Sequence, residues 1–298
     1  MKEIDLDVRW YAGARSYRGN TVPPIQVHAA TENTVILRQS IADSFEAPFL
    51  YLMFGADRAL LLDTGATADA RIFPLRETVD ELLDGWLRQH PKAGYELVIA
   101  HSHAHGDHVA ADGQFADRAS TRVVGHTADD VAGFFGVDLW SRGAAVFDLG
   151  GRVLEVIPTP GHHPSAIAIY DQSTGLLLTG DTVYPGRLYV QDFPAFQASL
   201  RTLCEIAAAH PVTAVLGAHI EMSAQPGRDF PLGSTWHPGE AALPLTTLDL
   251  QKISDAATAA ASRRGAHRYR NFIIWNGPCR WEIAVQFGRL LLFRVFGR

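Results

Sequence analysis

The chain has 298 residues, of which 47% are hydrophobic and 19% charged, with a formal net charge of −6. That composition excludes wholesale disorder and suits one large two-layer domain or two small ones. The acidic balance argues against a nucleic-acid surface, and no apolar run approaches the ~18 residues needed to span a bilayer. The start, Met1-Lys2-Glu3-Ile4-Asp5-Leu6-Asp7, is acidic where an export signal would be apolar, so the cytoplasm is the expected location.

In chain order, residues 34–38, 49–54 and 59–63 read as strands and 78–88 as a helix. Leu97-Val98-Ile99-Ala100 reads as a short buried strand running into His101-Ser102-His103-Ala104-His105-Gly106-Asp107-His108. Helices follow over 127–134 and 196–209. Three further apolar runs each lead through a glycine to a ligand-type residue. They are 153–157 into Thr159-Pro160-Gly161-His162, 176–178 into Thr179-Gly180-Asp181, and 214–216 into Gly217-Ala218-His219. Strand ends in a rigid sheet can gather such donors around one point. Alternating strands and helices predict an α/β sandwich built from two similar halves.

In the last 36 residues (263–298), segments 272–275, 281–285 and 290–295 read as three short strands, with turns at Asn276-Gly277-Pro278 and Gly288. This tail carries Arg280, Arg289, Arg294 and Arg298. It is expected to add strands to one sheet, or to form a homodimer contact through its aromatic residues. Cys204 and Cys279 form no CxxC pair and predict no disulfide. The absence of a GxSxG elbow, a Walker loop and a GxGxxG element removes serine hydrolases, P-loop NTPases and dinucleotide enzymes.

The chemistry lies in residues 101–108. Residues two apart on extended backbone project to one side, so His103 and His105 can converge on one metal ion. Gly106 lets the chain turn, freeing Asp107 and His108 for a second ion. Imidazole and carboxylate donors suit zinc, and also iron, manganese or cobalt. His101, His126 and His163 are expected to support the ligands or the fold instead.

The order HxHxDH, then His, Asp and His, resembles the metallo-β-lactamase superfamily of metal-dependent hydrolases. Asp63, in Leu60-Leu61-Leu62-Asp63-Thr64-Gly65, matches that family's first motif. The resemblance spans about residues 30–220 and implies an αββα four-layer sandwich: two mixed sheets, helices outside, metals at one edge. It also implies that His103, His105 and His162 hold one metal, that Asp107, His108 and His219 hold the other, and that Asp181 bridges them. The chain departs from the family at His163, where Thr or Ser is usual, and at Val109-Ala110-Ala111-Asp112-Gly113, where Gly-Gly is usual. Residues 1–262 would form the catalytic domain and 263–298 a β-rich extension of it.

Two divalent ions, two aspartates and a bridging hydroxide leave the site at about +1, and water bound there ionises near pH 7. The expected function is a dinuclear zinc hydrolase that cleaves an ester, thioester, lactone or amide of a small molecule, with Asp107 and Asp181 as catalytic carboxylates. The alternatives are a phosphodiesterase and a mononuclear iron dioxygenase resembling persulfide dioxygenases. A glutathione thioesterase is disfavoured because no basic helical segment is legible near the C-terminus. Substrate contacts are expected from loops: Phe45 and Glu46 in 40–48, Tyr184, Arg187 and Tyr189 after Asp181, and Arg228 in 221–240. There, Arg187 and Arg228 would hold an anionic group, and Tyr184 or Tyr189 would donate to an oxyanion.

Overall fold

The computed structural model describes residues 4–15, 20–136, 143–261, 263–277 and 280–296; Cys279, Pro278 and Arg298 lie outside them. Strands β1 (Ile25–Thr31), β2 (Thr34–Gln39), β3 (Phe49–Phe54) and β4 (Arg58–Leu62) form an antiparallel meander. Helix α1 (Leu75–Gln89) then crosses to β5 (Glu96–Ala100), parallel to β4. After the short α2 (Gly106–Val109) and a 3-10 turn over Asp112–Phe115, β6 (Thr121–Val123) completes a six-stranded sheet.

Helix α3 (Ala128–Phe135) leads to β7 (Ala145–Asp148), β8 (Val153–Pro158), β9 (Ile167–Asp171) and β10 (Leu176–Gly180), an antiparallel run. Strand β11 (Arg187–Val190) and helix α4 (Phe193–Ala209) precede β12 (Ala214–Gly217), which joins the second sheet parallel to β10. Helix α5 (Thr247–Ala260), β13 (Gly265–Arg268), β14 (Ile273–Asn276) and helix α6 (Arg280–Phe296) follow. A small third sheet has the order β11-β14-β13.

The period-2 alternation of strand side chains sorts these elements into layers. One face of the first sheet (Ile36, Tyr51, Leu60, Val98) meets the second sheet (Leu154, Val156, Ile169, Leu178, Leu216) in a central core. Its other face (Leu37, Leu52, Leu61, Ile99) packs on Leu75, Val79 and Leu83 of α1. The far face of the second sheet (Ile157, Ala168, Leu177, Val215) packs on Phe196 and Leu200 of α4 and Ile253 of α5. Most strands are therefore apolar on both faces, which is why they read as continuous apolar runs. Each fully buried aliphatic side chain contributes roughly 1.5–3 kcal/mol, so truncation within any of the three cores weakens the sandwich. The fold is the four-layer αββα arrangement. No helix among the described residues is long and apolar enough to cross a membrane.

Capping explains the helix starts. Thr127 with Asp130 and Thr246 with Asp249 form capping boxes at α3 and α5, and Asp192 accepts the Ala195 N–H at the start of α4. Cys204 is half-buried within α4.

Two sequence expectations are corrected. Residues 281–285 and 290–295 are not strands but parts of α6. Its buried residues Gln286, Leu290 and Phe293 recur at helical spacing, and short apolar runs cannot separate the two periods by themselves. Gly288 lies inside this helix, not at a turn. The stretch 187–190, expected as loop, is β11, which pairs parallel with β14.

Candidate metal centre

Strands β8, β10 and β12 run in one direction, as do β4 and β5, and their C-terminal ends meet at one edge of the sandwich. Three imidazole nitrogens converge there. His105 Nδ1 lies 2.9 Å from both His103 Nε2 and His162 Nε2, which are 3.2 Å from each other. Beside them, Asp107, His108, Asp181 and His219 bring four donor atoms together. His219 Nε2 is 3.4 Å from Asp107 Oδ2 and 3.3 Å from Asp181 Oδ1, and His108 Nε2 is 3.4 and 3.6 Å from the same two atoms. Asp181 Oδ2 faces the first group, 3.6 Å from His162 Nε2. Asp181 thus directs one oxygen at each group.

The outward ring nitrogens determine the tautomers. His162 Nδ1 must donate to the Tyr189 carbonyl (2.7 Å) and His219 Nδ1 to the Glu46 carbonyl (2.8 Å), because a carbonyl only accepts. His108 Nδ1 donates to Asp63 Oδ2 at 2.9 Å. Ser102 Oγ donates to Asp63 Oδ2, leaving it free to accept from His103 Nδ1. His103 and His162 therefore present Nε2 lone pairs to the first centre, and His105 directs Nδ1 at it. Facing lone pairs repel unless a cation lies among them. Zinc with ~2.0–2.1 Å bonds in tetrahedral geometry sets donors about 3.3 Å apart, close to what is seen here. Asp181 Oδ1 is buried and accepts no hydrogen bond, an orphan that a cation would satisfy. The residues fit divalent metal ions.

Local backbone delivers these donors. Asp63, directly after β4, adopts φ +70°, a conformation that non-glycine residues seldom hold. Its carboxylate accepts the Ser102 N–H at 2.6 Å and the Ser102 hydroxyl at 2.9 Å, and it orients His108. Gly161 has φ +135°, and a Cβ there would lie 2.4 Å from the Phe196 nitrogen, so only glycine brings His162 this close to α4.

The two groups differ electrostatically. Burial pushes His103 well below the ordinary imidazole range, and burial followed by the charges of His162 and His163 brings His105 to about 4. Burial would also lower His108, yet Asp63 and Asp181 hold it up at about 10, and Asp181 and Asp107 likewise raise His219. Against burial, His108 and His219 hold Asp107 and Asp181 well below the usual carboxylate range. Without a metal, protons on His108 and His219 balance the two carboxylates.

His101 and His126 do not join these groups. Their Nε2 atoms flank Asp112 at 2.9 and 2.7 Å, and Asp112 also accepts from Thr64 Oγ1. Thr64 N–H donates to the His108 carbonyl, so this trio braces the turn bearing Asp107 and His108. His163 bonds to Ser165 at 2.9 Å, with its ring 4.9 Å from that of His105.

The expected substrate contacts separate. Phe45 is exposed at its loop tip, and half-buried Glu46 is raised to about 7, chiefly by burial. Arg228 is exposed in the 221–240 loop. Arg187 is not free to hold an anionic group: it is buried, its guanidinium bonded to Glu221, Asp229, the Phe230 carbonyl and Tyr189 Oη. Tyr184 Oη donates to the Arg187 carbonyl, and its ring stands 5.5 Å behind His219, so it builds the wall instead of offering a donor. Tyr189 is half-buried, and its carbonyl orients His162. Sequence reasoning missed Asp112, which shows only as a departure from Gly-Gly.

A metal-binding edge on an αββα sandwich defines the class. The family model described as the metallo-beta-lactamase superfamily matches residues 45–219, more than half of the chain and all seven converging donors. The chain belongs to that superfamily.

Among curated relatives, the hydroxyacylglutathione hydrolase of Mesorhizobium japonicum is 33% identical over 115 residues, covering 38% of this chain and 45% of that protein. The hydroxyacylglutathione hydrolase of Anaeromyxobacter dehalogenans is 36% identical over 86 residues, 29% of this chain and 32% of that one. The match spans less than half the length of these relatives. Among solved structures, a metallo-beta-lactamase from Erythrobacter litoralis superposes with TM-score 0.54 at 15% identity, over 80% of this chain and 99% of that one. The DIM-1 metallo-beta-lactamase gives 0.50 at 18%, over 81% and 100%. Likeness at such identities is likeness of fold.

Proposed function

We propose that the chain is a metal-dependent hydrolase that holds two divalent cations, zinc by donor type, and cleaves an ester, thioester, lactone or amide of a small molecule. The observation behind this reading is that seven donor atoms form two adjoining groups joined by Asp181. His103, His105 and His162 would hold one cation, Asp107, His108 and His219 the other, with Asp181 shared. Two such cations supply Lewis acidity and an ionised nucleophile near neutral pH.

The chain's residues do the rest. Carbonyls and carboxylates behind the imidazoles hold each ring in its ligating tautomer. Asp107, the more exposed of the two carboxylates, directs Oδ2 into the second group, which would leave Oδ1 to take a proton. Glu46 adds a half-buried carboxyl beside His219, raised to about 7 in the metal-free chain chiefly by burial, against the lowering charge of His219.

Thioesters lead the substrate classes, because the curated relatives are named for a glutathione thioester hydrolase. The expectation against such substrates rested on the lack of a basic helical segment near the C-terminus; α6 is helical there, and its Arg289 is bonded to Asp229. Residues 263–298 are read as part of the same domain, supported by the pairing of β14 with β11. The test is metal content by plasma mass spectrometry together with turnover on a panel of thioesters, lactones, esters and amides. About two zinc ions per chain and turnover of one class support the proposal. A single iron that persists in His108→Ala overturns it.

A further inference from the structure

Helix α6 is bound to the protein by one side only. Gln286, Leu290 and Phe293 are buried beneath it, and Arg289 bonds to Asp229 through Nη1 (2.8 Å) and to the Asp229 carbonyl through Nη2 (2.6 Å). These contacts fix its rotation about its own axis. At 100° per residue, Trp281, Ala284, Phe287, Gly288, Leu291 and Leu292 then fall within an outward arc of about 140°. All six are exposed, Trp281 at 73%, Phe287 at 56%, Leu291 at 66% and Leu292 at 57%. A Cβ on Gly288 would meet nothing within 4 Å. Between Trp281 and Leu292 the arc bears no charged residue.

We infer that this stripe is the contact with a second copy of the chain, the two α6 helices packing antiparallel across a twofold axis. Four of the six stripe residues pair with one another about position 286. Inverting the helix sets Trp281 opposite Leu291 and Ala284 opposite Gly288. Small Ala284 and Gly288 therefore meet near the twofold axis, where the backbones must approach and Phe287 lies close to its own copy, while Trp281 meets Leu291 further out, as an isologous pair allows. By residue type the stripe exposes roughly 600 Å² of apolar surface, at the upper end for a monomer. Two such stripes bury about 1,200 Å², where specific interfaces begin. A bilayer is the competing occupant, since Arg280 and Arg294 flank the stripe in sequence, and vesicle flotation is therefore one arm of the test.

The test is light-scattering mass of the full chain at about 5–50 µM. The expected mass is twice 32.6 kDa. Phe287→Glu and Leu291→Glu should each raise the dissociation constant at least about a hundredfold with unchanged circular dichroism and metal content. Val146→Glu, an equally exposed apolar position on β7, should stay dimeric. With the parent chain as control, mixed Ala284→Cys and Gly288→Cys chains should form the hetero-disulfide. A monomeric parent, a dimer that survives both glutamates, Ala284→Cys pairing with itself, or a monomer that floats with phosphatidylcholine–phosphatidylglycerol vesicles would each overturn the inference.

Discussion

Two buried charge clusters both touch β11, one through the Arg187 side chain and one through the Tyr189 carbonyl, and they are completed differently. Around Asp229 the charges are closed by protein: Arg187, Arg268 and Arg289 donate to its side chain at 2.7 to 2.9 Å, and Arg187 also reaches Glu221. At the metal edge, Asp107 and Asp181 have no arginine or lysine among their ion-pair partners within the described residues, and the His103 and His162 Nε2 lone pairs point at one another. Buried charge must be paired or must coordinate a metal. The first cluster meets that rule by itself and is structural. The second meets it with protons on His108 and His219 or, under the function proposed above, with cations in their place.

The sharpest break in this contrast is at Asp181. Asp181→Ala should reduce hydrolysis by about a thousandfold or more and lower zinc content, since it removes the donor shared by both groups. Full metal and full rate in that variant would contradict the assignment. Asp229→Ala should do the reverse: metal content per folded chain holds, while stability falls by about 3 kcal/mol because buried Arg187 loses one of its two carboxylate partners. Denaturant titration with metal analysis of the folded fraction separates the two.

Acid probes the same cluster more gently. Arg187 and its neighbours overcome burial to hold Asp229 at about 2, below its ordinary 3.8. A lowered carboxylate stabilises the fold above the unfolded value and loses that contribution as pH falls through about 2. The loss amounts to about 2 kcal/mol, to be read from urea midpoints between pH 5 and 2 and absent in Asp229→Asn. The smallest effect concerns protons at the metal edge. His108 and His219 titrate high without metal, so zinc loading at pH 7 should release protons. Calorimetry in two buffers of different ionisation enthalpy would show it, and buffer-independent heats would argue against metal at these two rings.

Legibility in the sequence followed locality. The strands ending at Leu62, Ala100, Gly180 and Gly217 were readable because both faces are covered, making each an unbroken apolar run. Residues 281–295 were misread because short apolar runs fit either period, and the helix is decided by what lies beneath Gln286, Leu290 and Phe293. Arg187 looked like an anion clamp because its partners Glu221 and Asp229 lie 34 and 42 residues away.

The sequence by itself determined the donor types, their order and the glycines that let them turn inward, since ligand chemistry and backbone freedom are properties of single residues. Only the tertiary structure decided which carbonyl holds each imidazole, that Asp181 faces both groups, that Arg187 and Tyr184 serve the wall, and that α6 shows an uncovered apolar side. Those facts depend on distance in space, which packing sets and spacing along the chain does not.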